Sequence, residues 1–317
     1  MKLLTSLIFF LTAYYCDGQS EINDKPVIEK TYIDSIITAT QIESLISKIG
    51  IDSYKNYRVN TTQKFQNEIL QKLSDSLRPQ PWVKADFDGN GYTDILVTST
   101  NAVICVFGNK NGHYEINSIA NEYPALWFFS NVKMGKEKPE FDYYYFKSDY
   151  DPANTYPPKT LHKATLRYEY GSFIEKNTSL AKHAIEKIEF SANAGGWNST
   201  EFNITINDDR SARWERKYGS FQMPSGKKTE AKKFSTKISA FNFSYIIQLL
   251  NYIDFENLER FYTVPHTDDN SCEVRITYDG GKVKTIGDYG CKGTYGLQRF
   301  YQLLFALRQN QQWNRIY

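Results

Sequence analysis

Between Cys272 and Cys291 the chain has little choice but to fold back on itself. Asp279-Gly280-Gly281 is a hairpin-turn signal, because glycine reaches the positive backbone angles of tight turns without steric cost. Folding there brings both sulfurs to the same open end. Pairing through Gly280 and Gly281 sets Cys272 opposite Tyr289, so Cys291 falls two residues out of register and Gly290 absorbs the offset. We expect a disulfide, worth about 3 kcal/mol for a loop of that size. Two unpaired thiols are the alternative. Cys105, inside the apolar run Ala102 to Phe107, reads as an inert buried thiol.

A disulfide needs an oxidising compartment, and the amino terminus agrees. Met1-Lys2 precedes an almost unbroken apolar run from Leu3 to Tyr15. That run is shorter than the roughly 20 residues a bilayer span requires. Cys16 and Gly18 stand three and one positions before Gln19, which reads as a signal peptide over 1–18. A lipid anchor on Cys16 and a buried amino-terminal element are the other readings. No later segment is apolar enough to cross a membrane. We therefore expect an exported protein, periplasmic or secreted, or tethered through Cys16.

Lys plus Arg number 38 and Asp plus Glu 36, a formal charge of +2. Such a balance argues against a nucleic-acid binder built on bulk electrostatics. At 15% aromatic residues, with 24 Tyr and 20 Phe, the chain favours sheets, where rings pack well on a pleated surface. A length of 317 residues corresponds to two domains at roughly 150 residues each.

The pattern along the chain is α+β: two domains, each an antiparallel sheet packed with one or two helices, over 19–180 and 181–317. Thr40-Gln41-Ile42-Glu43 reads as a capping box opening a helix with Ile42, Leu45, Ile46 and Ile49 on one face. A second helix is expected over 62–77, closed by Pro79. Strands follow near 82–85, 94–98, 102–107, 113–119, 141–147 and 163–170. In the second half, strands are expected at 185–190, at 201–206 and around Trp214. Helices are expected near 241–253 and 294–309, with Trp313 folding back onto the core.

One segment carries ion chemistry. Asp86-Phe87-Asp88-Gly89-Asn90-Gly91-Tyr92-Thr93-Asp94 places oxygen donors at positions 1, 3, 5, 7 and 9. Calcium takes six to eight hard oxygens at flexible distances. Asp86, Asp88 and Asp94 would give carboxylates, Asn90 an amide oxygen and Tyr92 its backbone carbonyl. Position 12 is Val97, not the glutamate of an EF-hand, and a strand follows instead of a helix. This loop resembles the calcium loops of FG-GAP and VCBS-type repeats. The resemblance covers roughly 82–107 and occurs once, which speaks against a full propeller. It implies one structural calcium. A turn that uses Asp and Gly for conformation alone is the alternative.

A second resemblance rests on Ile204 to Arg210, Ile253-Asp254-Phe255, Thr267-Asp268-Asp269, Asp288-Tyr289-Gly290, and Gly293 to Leu297 through Gln312-Trp313. Together they look like a C-terminal domain of unknown function of secreted bacterial proteins, over about 185–317. It implies fold and compartment only. Gly195, Gly196 and Trp197 stand where many members carry paired cysteines.

Catalytic motifs are sparse. His113, His162, His183 and His266 form no metal-binding pair, and no nucleophile elbow is present. Lys227, Lys228, Lys232 and Lys233 read as a solvated basic flank. His266 with Asp268 and Asp269, near Tyr262, could move protons, but Asp at a strand entry also forms turns. The function we expect is binding or structural, toward an envelope protein or a glycan. Trp197, Trp214 and Tyr143 to Tyr145 are the aromatics to inspect. An envelope hydrolase assembled around the 262–269 loop is the rival.

Overall fold

The computed structural model describes residues 30–50, 57–120, 127–135, 138–148, 158–178, 182–193, 200–218, 232–264 and 269–316. The leader, Trp197, Lys227, Lys228, His266, Asp268 and the expected boundary at 180–181 lie outside them. Within them the fold is sheet-dominated α+β, with three sheets and five α-helices.

Helix α1 (Tyr32–Ser35) and α2 (Ala39–Ile49) open it. The α2 capping box is Thr38 with Gln41, two residues earlier than the sequence suggested. Glu43 is engaged elsewhere: its Oε1 accepts the Val59 amide proton at 3.0 Å. Helix α3 (Glu68–Leu77) starts at an Asn67 cap, so 62–67 is not helical. The amide of Gln71 reaches back to the Gln63 carbonyl instead.

Two four-stranded antiparallel meanders follow. The first holds β1 (Trp82–Ala85), β2 (Asp94–Thr98), β3 (Val103–Gly108) and β4 (Tyr114–Ala120), in that order. The second holds β5 (Phe128–Met134), β6 (Pro139–Ser148), β7 (Lys159–Glu169) and β8 (Ser172–Glu175). Strands β5 and β8 were not expected from the sequence. Period-two alternation splits each sheet into two apolar faces. Leu96, Cys105 and Phe107 of the first sheet meet Phe128, Phe141, Tyr143 and Phe173 of the second in one buried core. Ile95, Val97, Ile104 and Val106 turn the other way, onto α1 and α2. The outer face of the second sheet carries Phe129, Tyr144 and Phe146 under Phe65 and Leu70. Beside them lies an ion network in which Asp142 joins Lys133 and Lys163 at 2.7 and 3.0 Å. Among the described residues both outer faces therefore carry packed helices.

The third sheet has eight strands: β9 (Ile185–Asn193), β10 (Thr200–Asn207), β11 (Ser211–Tyr218), β12 (Lys232–Lys237), β13 (Phe261–Tyr262), β14 (Ser271–Tyr278), β15 (Lys282–Tyr289) and β16 (Asn314–Ile316). Its order is β13-β15-β14-β9-β10-β11-β12-β16. Helices α4 (Ala240–Tyr252) and α5 (Tyr295–Asn310) cover one face, burying Ile188, Phe190, Ile204, Val274 and Ile276 against Leu250, Phe300 and Leu304. Trp313 folds back as expected, its ring N–H donating to the Leu307 carbonyl at 2.9 Å.

Hairpin β14–β15 differs from expectation by one residue. Tyr278 pairs with Lys282 and Cys272 with Asp288, because Asp279, Gly280 and Gly281 all adopt positive φ and make a three-residue loop. Gly290 and Cys291, also at positive φ, curl the chain back. Cys272 and Cys291 thereby sit at disulfide distance, Cα atoms 5.5 Å apart.

Candidate metal centre

The loop between β1 and β2 is closed by the Ala85–Asp94 pair. Gly89 and Gly91 take φ of 78° and 85°, angles that curl the connection inward at little cost only for glycine. One ligand oxygen each from Asp86, Asp88 and Asp94 lies within 4.8 Å of the others. Backbone amides hold these carboxylates in place. Asp86 accepts from Gly89, Asn90 and Gly91 at 2.8–3.1 Å. Asp94, fully buried, accepts from Phe87 at 2.7 Å and from Gly108 at 2.9 Å.

Three converging carboxylates in a half-buried loop repel one another. Burial, reinforced by the Asp86 charge, pushes Asp88 up to about 6. Burial and then the Asp88 charge push Asp94 up to about 7, against the pull of its amide donors. A hard divalent cation would favour the ionised form of all three, so the donor set fits one. The Asn90 side chain is tied into the loop: its Nδ2 donates to the Gly108 carbonyl at 2.8 Å and its Oδ1 accepts from the Tyr92 amide at 2.8 Å.

Two supporting residues were not visible in the sequence. A Cβ on Gly108 would stand 2.5 Å from the Thr93 carbonyl oxygen, so glycine there lets β3 approach closely enough to serve Asp94 and Asn90. Asp34 of α1 accepts from Thr93 Oγ1 at 2.7 Å, and Lys84 reaches its carbonyl at 3.0 Å. Neither partner is near the loop in sequence, and neither belongs to its spacing.

The other candidates separate. Trp214 stacks on Phe234 at 4.4 Å, Tyr143 and Tyr144 are buried, and Tyr145 stacks on Tyr143 at 4.9 Å; all are packing residues. Lys233 pairs with Glu215 at 3.4 Å. His183, passed over in the sequence, has Asp279 at 2.7 Å on Nδ1 and Glu256 at 3.4 Å on Nε2. That arrangement clamps the β14–β15 turn and offers no nucleophile.

At the open end of the β14–β15 hairpin its entry and exit segments meet. The Asp269 amide donates to the Tyr289 hydroxyl at 3.1 Å, and the Gly290 amide to the Asn270 carbonyl at 2.7 Å. The amides of Lys292 and Gly293 donate to Asp288 at 3.1 and 2.9 Å. Burial raises the Asp288 carboxyl above its usual range, opposed by those two amides. Residues 186–308 match a domain of unknown function, DUF6438. The DUF6438 match starts within β9 and ends in the last turn of α5, so it takes in both helices and stops short of β16. No curated protein matches the chain. In the DUF6438 domain Asp288 and Gly293 are thus joint-forming residues, holding the hairpin to the start of α5.

Proposed function

We propose that this is an exported protein of the cell envelope or exterior, binding or structural in role and non-enzymatic, with one structural calcium in an FG-GAP-like loop of its N-terminal domain. The observation that carries this reading is the convergence of Asp86, Asp88 and Asp94 within 4.8 Å, with two of the three carboxyls raised toward neutrality. Asn90 and the Tyr92 carbonyl complete the set read from the spacing, and water or a remote oxygen would fill the rest of the shell. The cation would fasten β1 to β2 and, through Asn90 and Gly108, to β3. The disulfide-distance pair supports an oxidising compartment. No helix among the described residues is long and apolar enough to cross a membrane. Residues 1–18 would be the signal, 19–180 the calcium-bearing domain and 181–317 the DUF6438-containing domain.

The test is the melting temperature of the protein with calcium, with EDTA, and for Asp88→Ala. A shift lost in Asp88→Ala supports the ion site, while an identical melt in calcium and EDTA reduces the loop to a turn. Mass spectrometry of the amino terminus after expression in a Gram-negative host tests the export reading: an uncleaved chain found in the cytoplasm would sink it.

A further inference from the structure

The eight-stranded sheet has both its helices on one face. On the other face lies an open cleft of about 510 Å³. The strand register explains its chemistry. Asn203 pairs with Ser191, Ser191 with Glu273, Glu273 with Gly287, and Gly287 with Phe261. One row across five neighbouring strands therefore reads amide, hydroxyl, carboxylate, bare backbone, aromatic ring. The next row on the same face brings Glu201 beside Asn193, Ser271 and Tyr289.

Gly287 is what lets the ring in. A Cβ there would lie 3.2 Å from Phe261 Cδ2, so the phenyl ring rests over the glycine. Phe261 nevertheless keeps 58% of its surface exposed, unusual for a phenylalanine in a strand. The Asn203, Ser191 and Glu273 side chains form no hydrogen bond or ion pair among the described residues.

We infer that this cleft binds a short uncharged oligosaccharide, which names the partner left open in the proposed function and rests on that reading. The lining disfavours the other ligand classes. Among the described residues it contains two glutamates, Glu201 and Glu273, and no lysine or arginine, with Arg275 in the adjoining hollow, so phosphates and acidic sugars are disfavoured beside Glu273. It is too polar for a lipid or an apolar cofactor. A peptide strand adding through its backbone would dock along the outer edge of β13, beside the row and not across it. What remains is a polyhydroxylated ligand with an apolar side. Its hydroxyls would donate to Glu273, in bonds strengthened by the carboxylate charge, and exchange bonds with Asn203 and Ser191. Its C–H face would pack on the exposed ring of Phe261. Five strands at about 4.8 Å spacing give the row room for several linked sugars.

The experiment is calorimetric titration of the full mature protein with uncharged hexasaccharides (cello-, xylo-, malto- and chito-type) and with hexagalacturonate as the acidic counterpart. We expect at least one uncharged glycan to bind, hexagalacturonate not to, and Phe261→Ala and Asn203→Ala each to weaken binding about tenfold. The Asn203 side chain stands on the open face, so Asn203→Ala should melt as the wild type does, and the melt of Phe261→Ala is measured beside its binding. The inference is overturned if no uncharged glycan binds at millimolar concentration, if the acidic one binds better, or if both variants bind as wild type. A calcium-dependent melt with no glycan binding would remove this inference and leave the ion site standing. Glycan binding with no calcium effect would do the reverse.

Discussion

Glu175 holds Tyr295. Its Oε1 accepts the Tyr295 amide proton at 2.7 Å and its Oε2 the Gly296 amide proton at 2.8 Å, so β8 of the second meander caps the last helix of the DUF6438 domain. The first amides of a helix lack intrahelical partners, and a carboxylate there also meets the positive end of the helix dipole. Burial raises the Glu175 carboxyl, and the two amides oppose that rise.

Glu175→Ala should therefore destabilise the chain by about 1–3 kcal/mol, leaving two buried donors unpaired. Urea denaturation followed by tryptophan fluorescence measures it. An unchanged midpoint would show that water replaces the carboxylate.

Gly296 is the tightest point of the same junction. An added Cβ would sit 2.5 Å from Ile253 Cγ2, and Ile253 is β-branched, so it has few rotamers into which to yield. Gly296→Ala should cost about 1–3 kcal/mol through overpacking. Gly112→Ala, where an added Cβ meets nothing within 4 Å, should cost only the strain of its positive φ, about 1 kcal/mol. Comparing the two melts separates crowding from backbone conformation.

Calcium has a defined size of effect. With a dissociation constant of about 0.1 mM, about 1 mM calcium adds roughly 1.4 kcal/mol by mass action. For a chain of this length melting as one unit that is about 2 °C in melting temperature. Asp88→Ala and Gly108→Ala should both abolish the shift. Gly108→Ala should also lower the melt in EDTA, because its Cβ collides with the Thr93 carbonyl.

The loop also sets a pH dependence. Asp88 and Asp94 have folded-state values of about 6 and 7, above the ordinary aspartate value near 3.9. A carboxyl raised by folding lends stability when protonated and loses it as pH rises from its unfolded to its folded value. In EDTA the melting temperature should therefore fall, on this account, between about pH 4 and pH 7. Saturating calcium favours the ionised carboxylates and should flatten that fall. Melts at pH 5 and pH 8, with and without calcium, check both arms.

Reduction is the simplest perturbation. Opening Cys272–Cys291, 19 residues apart, should cost about 3 kcal/mol. Cys272→Ser should reproduce the loss, and reductant should then have no further effect.

Most of the strands and both C-terminal helices could be read from the sequence, because alternation and helical periodicity are local. What escaped has a physical reason in several cases. Strand β8 follows a turn in which Tyr170 takes positive φ at 52°, a position usually signalled by Asn or Gly. Strand β16 is three exposed residues with no apolar alternation to betray it. The capping box slid from Thr40 to Thr38 because both sites carry Thr with a long polar residue three positions on. The hairpin register slipped by one because three consecutive residues adopt positive φ. Asp86, Asp88 and Asp94 were legible because their spacing lies within nine residues. Gly108, Asp34 and Glu175 were not, since each acts across a fold that only tertiary packing creates.

Strand β8 spends its few residues on two masters: Phe173 enters the core between the two meanders, while its neighbour Ile174 enters the core of the large sheet. The dependence this creates runs both ways. A fragment starting at Glu186, where the DUF6438 match begins, would carry a void where Ile174 sat and would leave the Tyr295 and Gly296 amides without their carboxylate, with Thr294 still capping Leu297. The amino-terminal half would lose the packing of Tyr143 on Tyr295, the Arg299 bond to the Tyr170 carbonyl and the Asn177 bond to the Tyr252 carbonyl. The smallest C-terminal piece able to stand alone should therefore reach back to Ser172, borrowing a strand that belongs by hydrogen bonding to its neighbour.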